Sequence, residues 1–192
     1  MGSGDWKPQE FLDSYQQWVG SLMAPDTSLI LDLTDLAKPR ARKLPYLALV
    51  RDASDPDKRL VNGYWCIELY ARLPGKRMLP LLLDPYSIED PRVLSENQRI
   101  LQDVEKVYAA TEGKGVLVMD CGGDRQELLV PWIDAGRLFV IRQRGDRMVL
   151  LPNGSRVVEQ DLAEHLLAEA APARLAFATV HLPERPDRPL GL

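Results

Sequence analysis

The sequence predicts an α/β fold in which a mixed β-sheet is flanked by helices, and three observations lead there. Strand-like segments follow one another near the front of the chain, at 28–33, 59–72 and 77–87. From residue 95 onward helix-like and strand-like segments alternate. The segments at 59–72 and 77–87 are joined only by the turn "PGK", so they pair antiparallel. Consecutive antiparallel strands followed by helix–strand alternation make a sheet with both kinds of neighbour.

Residues 8–23 carry Phe11, Tyr15, Trp18 and Leu22 at helical spacing, which predicts an amphipathic helix with that stripe as its apolar face. "APDTS" at 24–28 ends it. "SLILDL" at 28–33 is a short apolar strand ending in acid. The polar, basic stretch 36–58 holds a short strand around Tyr46–Arg51. "RLVNGYWCIELYAR" and "RMLPLLLDPYS" are rich in branched, aromatic and leucine residues and form the next two strands. Ser95 with Gln98 three residues later marks a capping box. Behind it, Ile100, Leu101, Val104, Val107 and Tyr108 form one stripe, and Gly113 and Gly115 close the helix.

"GVLVMD" at 115–120 is a buried strand that again ends in Asp. Gly122 and Gly123 turn the chain, and Asp124 with Glu127 caps a helix running to about Ala135, which Pro131 bends. "RLFVIRQR" at 137–144 is a further strand, and Asn153-Gly154 within "MVLLPNGSRVV" signals a hairpin. Residues 159–170 are helical with Leu162, Leu166 and Leu167 on one face. "ARLAFATVHL" is a strand, and "PERPDRPLGL" is an open, proline-rich end without core residues. The implied division is a helical segment at 1–27, a core at 28–147 and a β-rich extension at 148–192.

The chain has 192 residues, 45% hydrophobic and 27% charged, the mix of a water-soluble domain. No apolar run approaches the roughly 20 residues of a membrane span. The start "MGSGDWK" lacks the apolar stretch of a signal peptide. Two Cys and two His are too few for a disulfide framework or a zinc cluster, which fits a cytoplasmic, reducing location. A net charge of -4 is unlike the basic face of a complete nucleic-acid-binding protein. Yet Arg137, Arg142, Arg144, Arg147 and Arg156 fall in one short stretch. A solvated strand-and-turn surface explains such a run, and a phosphate-contacting patch is the functional alternative.

Asp32 and Asp120 stand at the carboxyl ends of two apolar strands, where reactive groups gather in open α/β sheets. Taken singly, each is explained as a turn or cap residue. Brought side by side they repel unless a cation lies between them, and Mg²⁺ (or Mn²⁺) suits such oxygen ligands. A metal held there would serve phosphodiester cleavage. Asp35 remains an alternative to Asp32, Asp84 is assigned to a turn, and Cys121 to a small buried residue. "DCGGDR" lacks the spacing of a phosphate-binding loop, which leaves a small-phosphatase reading weakest.

The element order and the local sequences together resemble the catalytic core of bacterial insertion-sequence transposases of the cut-and-paste DDE type, with a ribonuclease H-like fold. "LILDLTDLAK" resembles the first-acid motif, and "VLVMDCGGDRQELLVPWIDAGRLFVIRQRG" the second-acid block, in which Asp, a small-residue turn and a second Asp precede a helix and an "FVIR" strand. "GYWCIELYARLPGKRMLPLLLDPYS" fits the strands between them, so the resemblance spans residues 28–158.

The resemblance implies that Asp32 and Asp120 are metal ligands and catalytic residues using Mg²⁺ (or Mn²⁺) on double-stranded DNA, at transposon ends and target. It places the protein in the bacterial cytoplasm with the nucleoid. It leaves room for a homodimer, with Arg142 and Arg144 put forward as DNA contacts. Two departures stand out. Cys121 replaces the Arg that usually follows the second Asp, and no Tyr-Arg-Trp-Glu-like motif supplies the third acid. Glu159, Glu164 and Glu169 are then expected to be solvated surface acids, and strand cleavage to be impaired. A non-catalytic DNA-binding domain of the same fold is the competing expectation.

Overall fold

The computed structural model describes residues 7–52, 54–93, 95–169 and 175–192. It is a mixed α/β structure with a six-stranded sheet and a separate four-stranded sheet. The large sheet is built from β1 (Ser28–Ala37), β2 (Ala48–Arg51), β3 (Leu60–Leu73), β4 (Arg77–Tyr86), β5 (Val116–Met119) and β6 (Phe139–Ile141). β3 lies between β1 and β4 and is antiparallel to both, while β1, β5 and β6 run parallel. β2 and β4 succeed one another along the outer edge of β3. Across the sheet the order is β4-β3-β1-β5-β6.

Strand alternation decides the packing. Leu29 and Leu31 of β1 stand opposite Ala71 and Leu69 of β3, and all four are buried. With Leu117 and Met119 of β5 they form one face. The helices α1 (Pro8–Ser21), α2 (Glu96–Ala110) and α3 (Gln126–Asp134) pack there through Val19, Ile100, Val104, Val107, Leu128 and Trp132. Each fully buried Leu, Ile or Val stabilises the fold by about 1.5–3 kcal/mol. The opposite face carries Ile30, Tyr70 and Val118, which are half-buried and belong to none of the hydrophobic clusters among the described residues.

Several expectations hold. Ser95 caps α2, its hydroxyl oxygen accepting from the Gln98 N–H at 3.1 Å. Ile100, Val104, Val107 and Tyr108 are buried as the stripe requires. Asn153-Gly154 turns the hairpin of β7 (Met148–Leu150) and β8 (Arg156–Val158), with Gly154 at φ +83°.

Others are overturned. β1 does not stop at the first acid but continues to Ala37, because β3 is long enough to pair with all ten of its residues. α1 is helical but does not bury its aromatic stripe. It packs through Gln16, Val19 and Gly20, leaving Phe11 63% and Trp18 53% exposed. The reason is the tight approach of α1 to the end of α2. A Cβ on Gly20 would lie 3.0 Å from the Thr111 Cα, and Gln16 Nε2 donates to the Leu81 carbonyl of edge strand β4 at 2.7 Å. A small, partly polar strip fits that space and an aromatic one does not.

The proline-rich end is also ordered. β10 (Arg185–Gly191) pairs with β9 (Thr179–Leu182) in the second sheet, order β10-β9-β7-β8, and Leu190 joins its core. Pro186 and Pro189 are tolerated because β10 is an edge strand. The part of the expected 173–182 strand at residues 173 and 174 lies outside the described residues. α4 (Glu159–Glu169) covers the second sheet through Leu162 and Leu166. Leu182 and Leu190 pack against Leu129 and Ile133 of α3, joining the two sheets. Among the described residues no helix is long and apolar enough to cross a membrane.

Candidate metal centre

β1 contains Asp32 and β5 leads directly into Asp120, and the two are neighbouring parallel strands. The ladder pairs Ser28 with Val116, Leu29 with Leu117 and Ile30 with Val118. Two residues further along come Asp32, on the face of β1 that carries Ile30, and Asp120, just beyond the end of β5. Asp120 follows the last residue of β5 and keeps an extended backbone, φ -71° and ψ -170°. Neighbouring strands lie roughly 4.7–4.9 Å apart.

The chain then wraps tightly around the second carboxylate. Asp120 Oδ1 accepts from the Gly122 N–H at 2.7 Å, which opens the short 3-10 turn Cys121–Gly123. Glycine suits the close approach of the neighbouring side chains. A Cβ on Gly122 would lie 2.9 Å from Asp120 Oδ1, and one on Gly123 would lie 2.7 Å from Met119 Sδ. Asp32 Oδ1 accepts from the Leu33 N–H at 3.0 Å. Both carboxylates are exposed, and neither forms an ion pair among the described residues.

A third acid that the sequence did not single out stands beside them. Glu68 of β3 is the register partner of Asp32, and Asp120 follows the end of β5 on the other side of β1, so the three acids come from three adjacent segments of the sheet. The Tyr70 hydroxyl donates to Glu68 Oε2 at 3.0 Å. Burial, that hydrogen bond and the charges of Glu68 and Asp32 push the Tyr70 phenol above its ordinary range. The signal available in advance was the β1–β3 hydrophobic register, which once set by Leu31 and Leu69 leaves Glu68 facing Asp32. Three adjacent segments span two strand spacings, roughly 9–10 Å. Accordingly, among the described residues no three His, Cys, Asp or Glu side chains are grouped to hold one ion together.

The alternatives separate. Asp35 lies on the opposite face of β1 from Asp32, opposite Trp65. Burial raises its pKa, with Arg51 opposing. Asp84 is not a turn residue; it lies in β4 and pairs with Arg99 of α2, which holds its carboxyl below the usual range against the cost of burial. Cys121 is partly exposed rather than buried.

Asp124 does not cap α3. Its side chain turns the other way, accepting from the Arg144 N–H at 2.9 Å and from Arg147 Nε at 2.9 Å, with a second contact from Arg147 Nη2. Beside it Glu159, expected at the surface, is only 5% exposed, whereas Glu164 and Glu169 are solvated as expected. The Gln143 side-chain amide lies against both acids, and with its nitrogen turned toward them it reaches 3.1 Å from Asp124 Oδ1 and 3.3 Å from Glu159 Oε2. Arg144 Nε donates to the Cys121 carbonyl at 3.2 Å, which ties an otherwise exposed guanidinium to the residue following Asp120. Arg142 is exposed beside it, and its N–H donates to the Met119 carbonyl at 3.1 Å. Arg137 and Arg147 are spoken for by Glu105 and Asp124.

Glu159 makes a pH prediction. Burial first, then the Asp124 charge, raises its pKa from 4.5 to about 7. The folded state therefore keeps a proton that the unfolded chain has released. The stability contribution is complete below 4.5 and is lost as pH rises through about 7. At 1.36 kcal/mol per pKa unit the loss is about 3 kcal/mol. Glu159→Gln, which keeps the shape and removes the charge, gives a higher melting temperature above that pH and a flatter profile through the window. An unchanged thermal-melt pH profile in the variant means that Glu159 is solvated.

No protein-family model matches the chain, and no curated protein sequence matches it.

Proposed function

We propose that this chain is a ribonuclease H-like domain of the DDE transposase type, acting on double-stranded DNA by divalent-metal-assisted phosphodiester chemistry. The observation that supports the reading is the parallel register of β1 with β5, which reaches Ile30 and Val118, two residues before Asp32 and Asp120 in their own segments. The order β4-β3-β1-β5-β6, antiparallel in its first part and parallel in the rest, supports the fold assignment.

Asp32 and Asp120 would hold Mg²⁺ or Mn²⁺, since two exposed carboxylates without cation partners are the hard oxygen donors such ions take. A divalent ion there supplies charge neutralisation and an activated water or hydroxyl for attack at phosphorus. The protein's own part is positional. The Leu33 and Gly122 N–H groups fix one oxygen of each carboxylate and leave the other outward. Arg144, anchored on the Cys121 carbonyl, stands where a phosphate approaching Asp120 would meet it.

Cleavage by this chain is expected to be weak, because among the described residues no third acid converges on the pair. A nicking assay on double-stranded DNA with Mg²⁺ or Mn²⁺ should show low activity that disappears in Asp120→Ala. Robust metal-dependent cleavage that survives that substitution removes the assignment. The same absence of a converging third acid favours a second reading, a DNA-binding domain that retains the fold without turnover. Both readings predict that Arg142→Ala combined with Arg144→Ala weakens DNA association and lowers its salt dependence by about two in the log–log slope. Unchanged affinity and slope in fluorescence anisotropy would clear both arginines of a DNA role.

A further inference from the structure

We propose that the cavity between the two sheets is a binding site for a small amphipathic amine, with Glu159 receiving its ammonium group. The cavity has a volume of about 600 Å³ and is bounded by α3, β6, β7, β9, β10 and the start of α4. That volume falls within the roughly 300–1,000 Å³ of small-molecule sites, which favour the seams between packed units. Its walls are apolar. Leu129 and Ile133 come from α3, Phe139 and Ile141 from β6, and Leu182 and Leu190 from the second sheet. Phe139, Ile141 and Leu190 are only half-buried, so they keep apolar surface for a ligand to cover.

The polar groups are few and lie together beyond the end of β6. Gln143 and Glu159 line the cavity there. Glu159 is 5% exposed. Among the described residues its carboxyl can accept only from the Gln143 amide, at 3.3 Å with the nitrogen turned toward it. One neutral donor does not satisfy a carboxylate out of water, which needs a cation or several donors. The neighbouring charges leave that need unmet. Arg147 is committed to Asp124, and Asp124 and Asp146 add negative charge around Glu159. Of the other cations on the lining, Arg137 is held by Glu105, and Arg188 lies on β10, solvent-exposed and beside Asp187.

An ammonium group supplies what this corner lacks. It makes a charge-assisted hydrogen bond to an acid that folding has already taken out of water. A carboxylate or phosphate ligand would meet Glu159 and Asp124 as like charges, and a purely apolar ligand would leave the carboxyl unanswered. The amine displaces the proton that burial and the Asp124 charge hold on Glu159. Binding therefore releases a proton and tightens as pH rises. Neither Asp32 nor Asp120 lines the cavity, so the site is independent of the proposed DNA chemistry.

The test is methyl NMR of the full chain titrated with phenethylamine, and with phenethyl alcohol as the neutral probe, for the parent and for Glu159→Gln. The expected result is saturable shifts at the methyl groups of Ile133, Ile141, Val180 and Leu182 when the parent meets the amine. Affinity should be weaker by about tenfold for the alcohol, and for the amine in Glu159→Gln. In the parent, affinity for the amine should rise about tenfold from about pH 6 to about pH 8, as a carboxyl with a pKa of about 7 loses its proton, and stay flat in the variant. The pH series on the parent needs no substitution, so it reads the same claim without a change in packing. Amine that shifts none of these methyl groups overturns the proposal. So does equal amine affinity in parent and variant, a flat pH profile in the parent, or a parent that binds alcohol as tightly as amine.

Discussion

Asp124→Ala is expected to destabilise the domain by about 3–5 kcal/mol, the cost of leaving one member of a buried ion pair without its partner. Arg147 and Asp124 have side-chain exposures of only 16% and 2%. Removing the carboxylate strands the guanidinium, and the Arg144 N–H loses its acceptor as well. At about 2–4 °C per kcal/mol for a chain of this size, the melting temperature should fall by roughly 10 °C. The effect should reach beyond the pair. Asp124 closes the turn that follows Asp120, while Arg147 immediately precedes β7 and Glu159 opens α4, so the network ties the loop after Asp120 to the extension. Adding Arg147→Leu to Asp124→Ala should recover much of the loss, because the uncompensated charge is then gone. A loss below about 1 kcal/mol for Asp124→Ala, the size typical of an exposed pair, would mean that water already solvates this network.

That network marks the boundary of what was legible in the sequence. Features governed by local rules could be read: the Ser95 cap, the stripe behind it, the antiparallel pairing across "PGK" and the Asn153-Gly154 hairpin. The parallel approach of β1 and β5 followed from the element order. Features set by tertiary geometry could not be read. Asp124 and Glu127 have the spacing of a helix start, and nothing local reveals that Arg147 competes successfully for the carboxylate. Periodicity located α1 but not its orientation, which depends on how closely Gly20 lets it approach Thr111. "RPDRPLG" has the composition of a tail and becomes a strand only because β9 offers it an edge. Glu68 carries no motif, and its place opposite Asp32 comes entirely from register.

Asp32 and Asp120 give the prediction most direct for the proposed chemistry, because its sign reverses with metal. In the proposed site Asp32 and Asp120 repel each other when no divalent ion is bound. For exposed charges about 4 Å apart in water that repulsion is of order 1 kcal/mol. Asp32→Asn or Asp120→Asn should therefore make the metal-free protein slightly more stable than the parent. With Mg²⁺ the order inverts. An ion that binds the folded state stabilises it by RT ln(1 + [Mg²⁺]/Kd), about 1.4 kcal/mol at ten times Kd, or about 3–5 °C in melting temperature. Only the parent should gain it, and each Asn variant should lose the response completely. Asp35→Asn should keep the full response, since Asp35 lies on the other face of β1. Glu68→Gln separates a spectator from a participant: a response reduced but not lost means that the ion sits between Asp32 and Asp120 with Glu68 assisting. If thermal melts in Mg²⁺ rise equally for the parent and for both Asn variants, the ion binds elsewhere, and phosphodiester chemistry at this sheet face loses its physical basis.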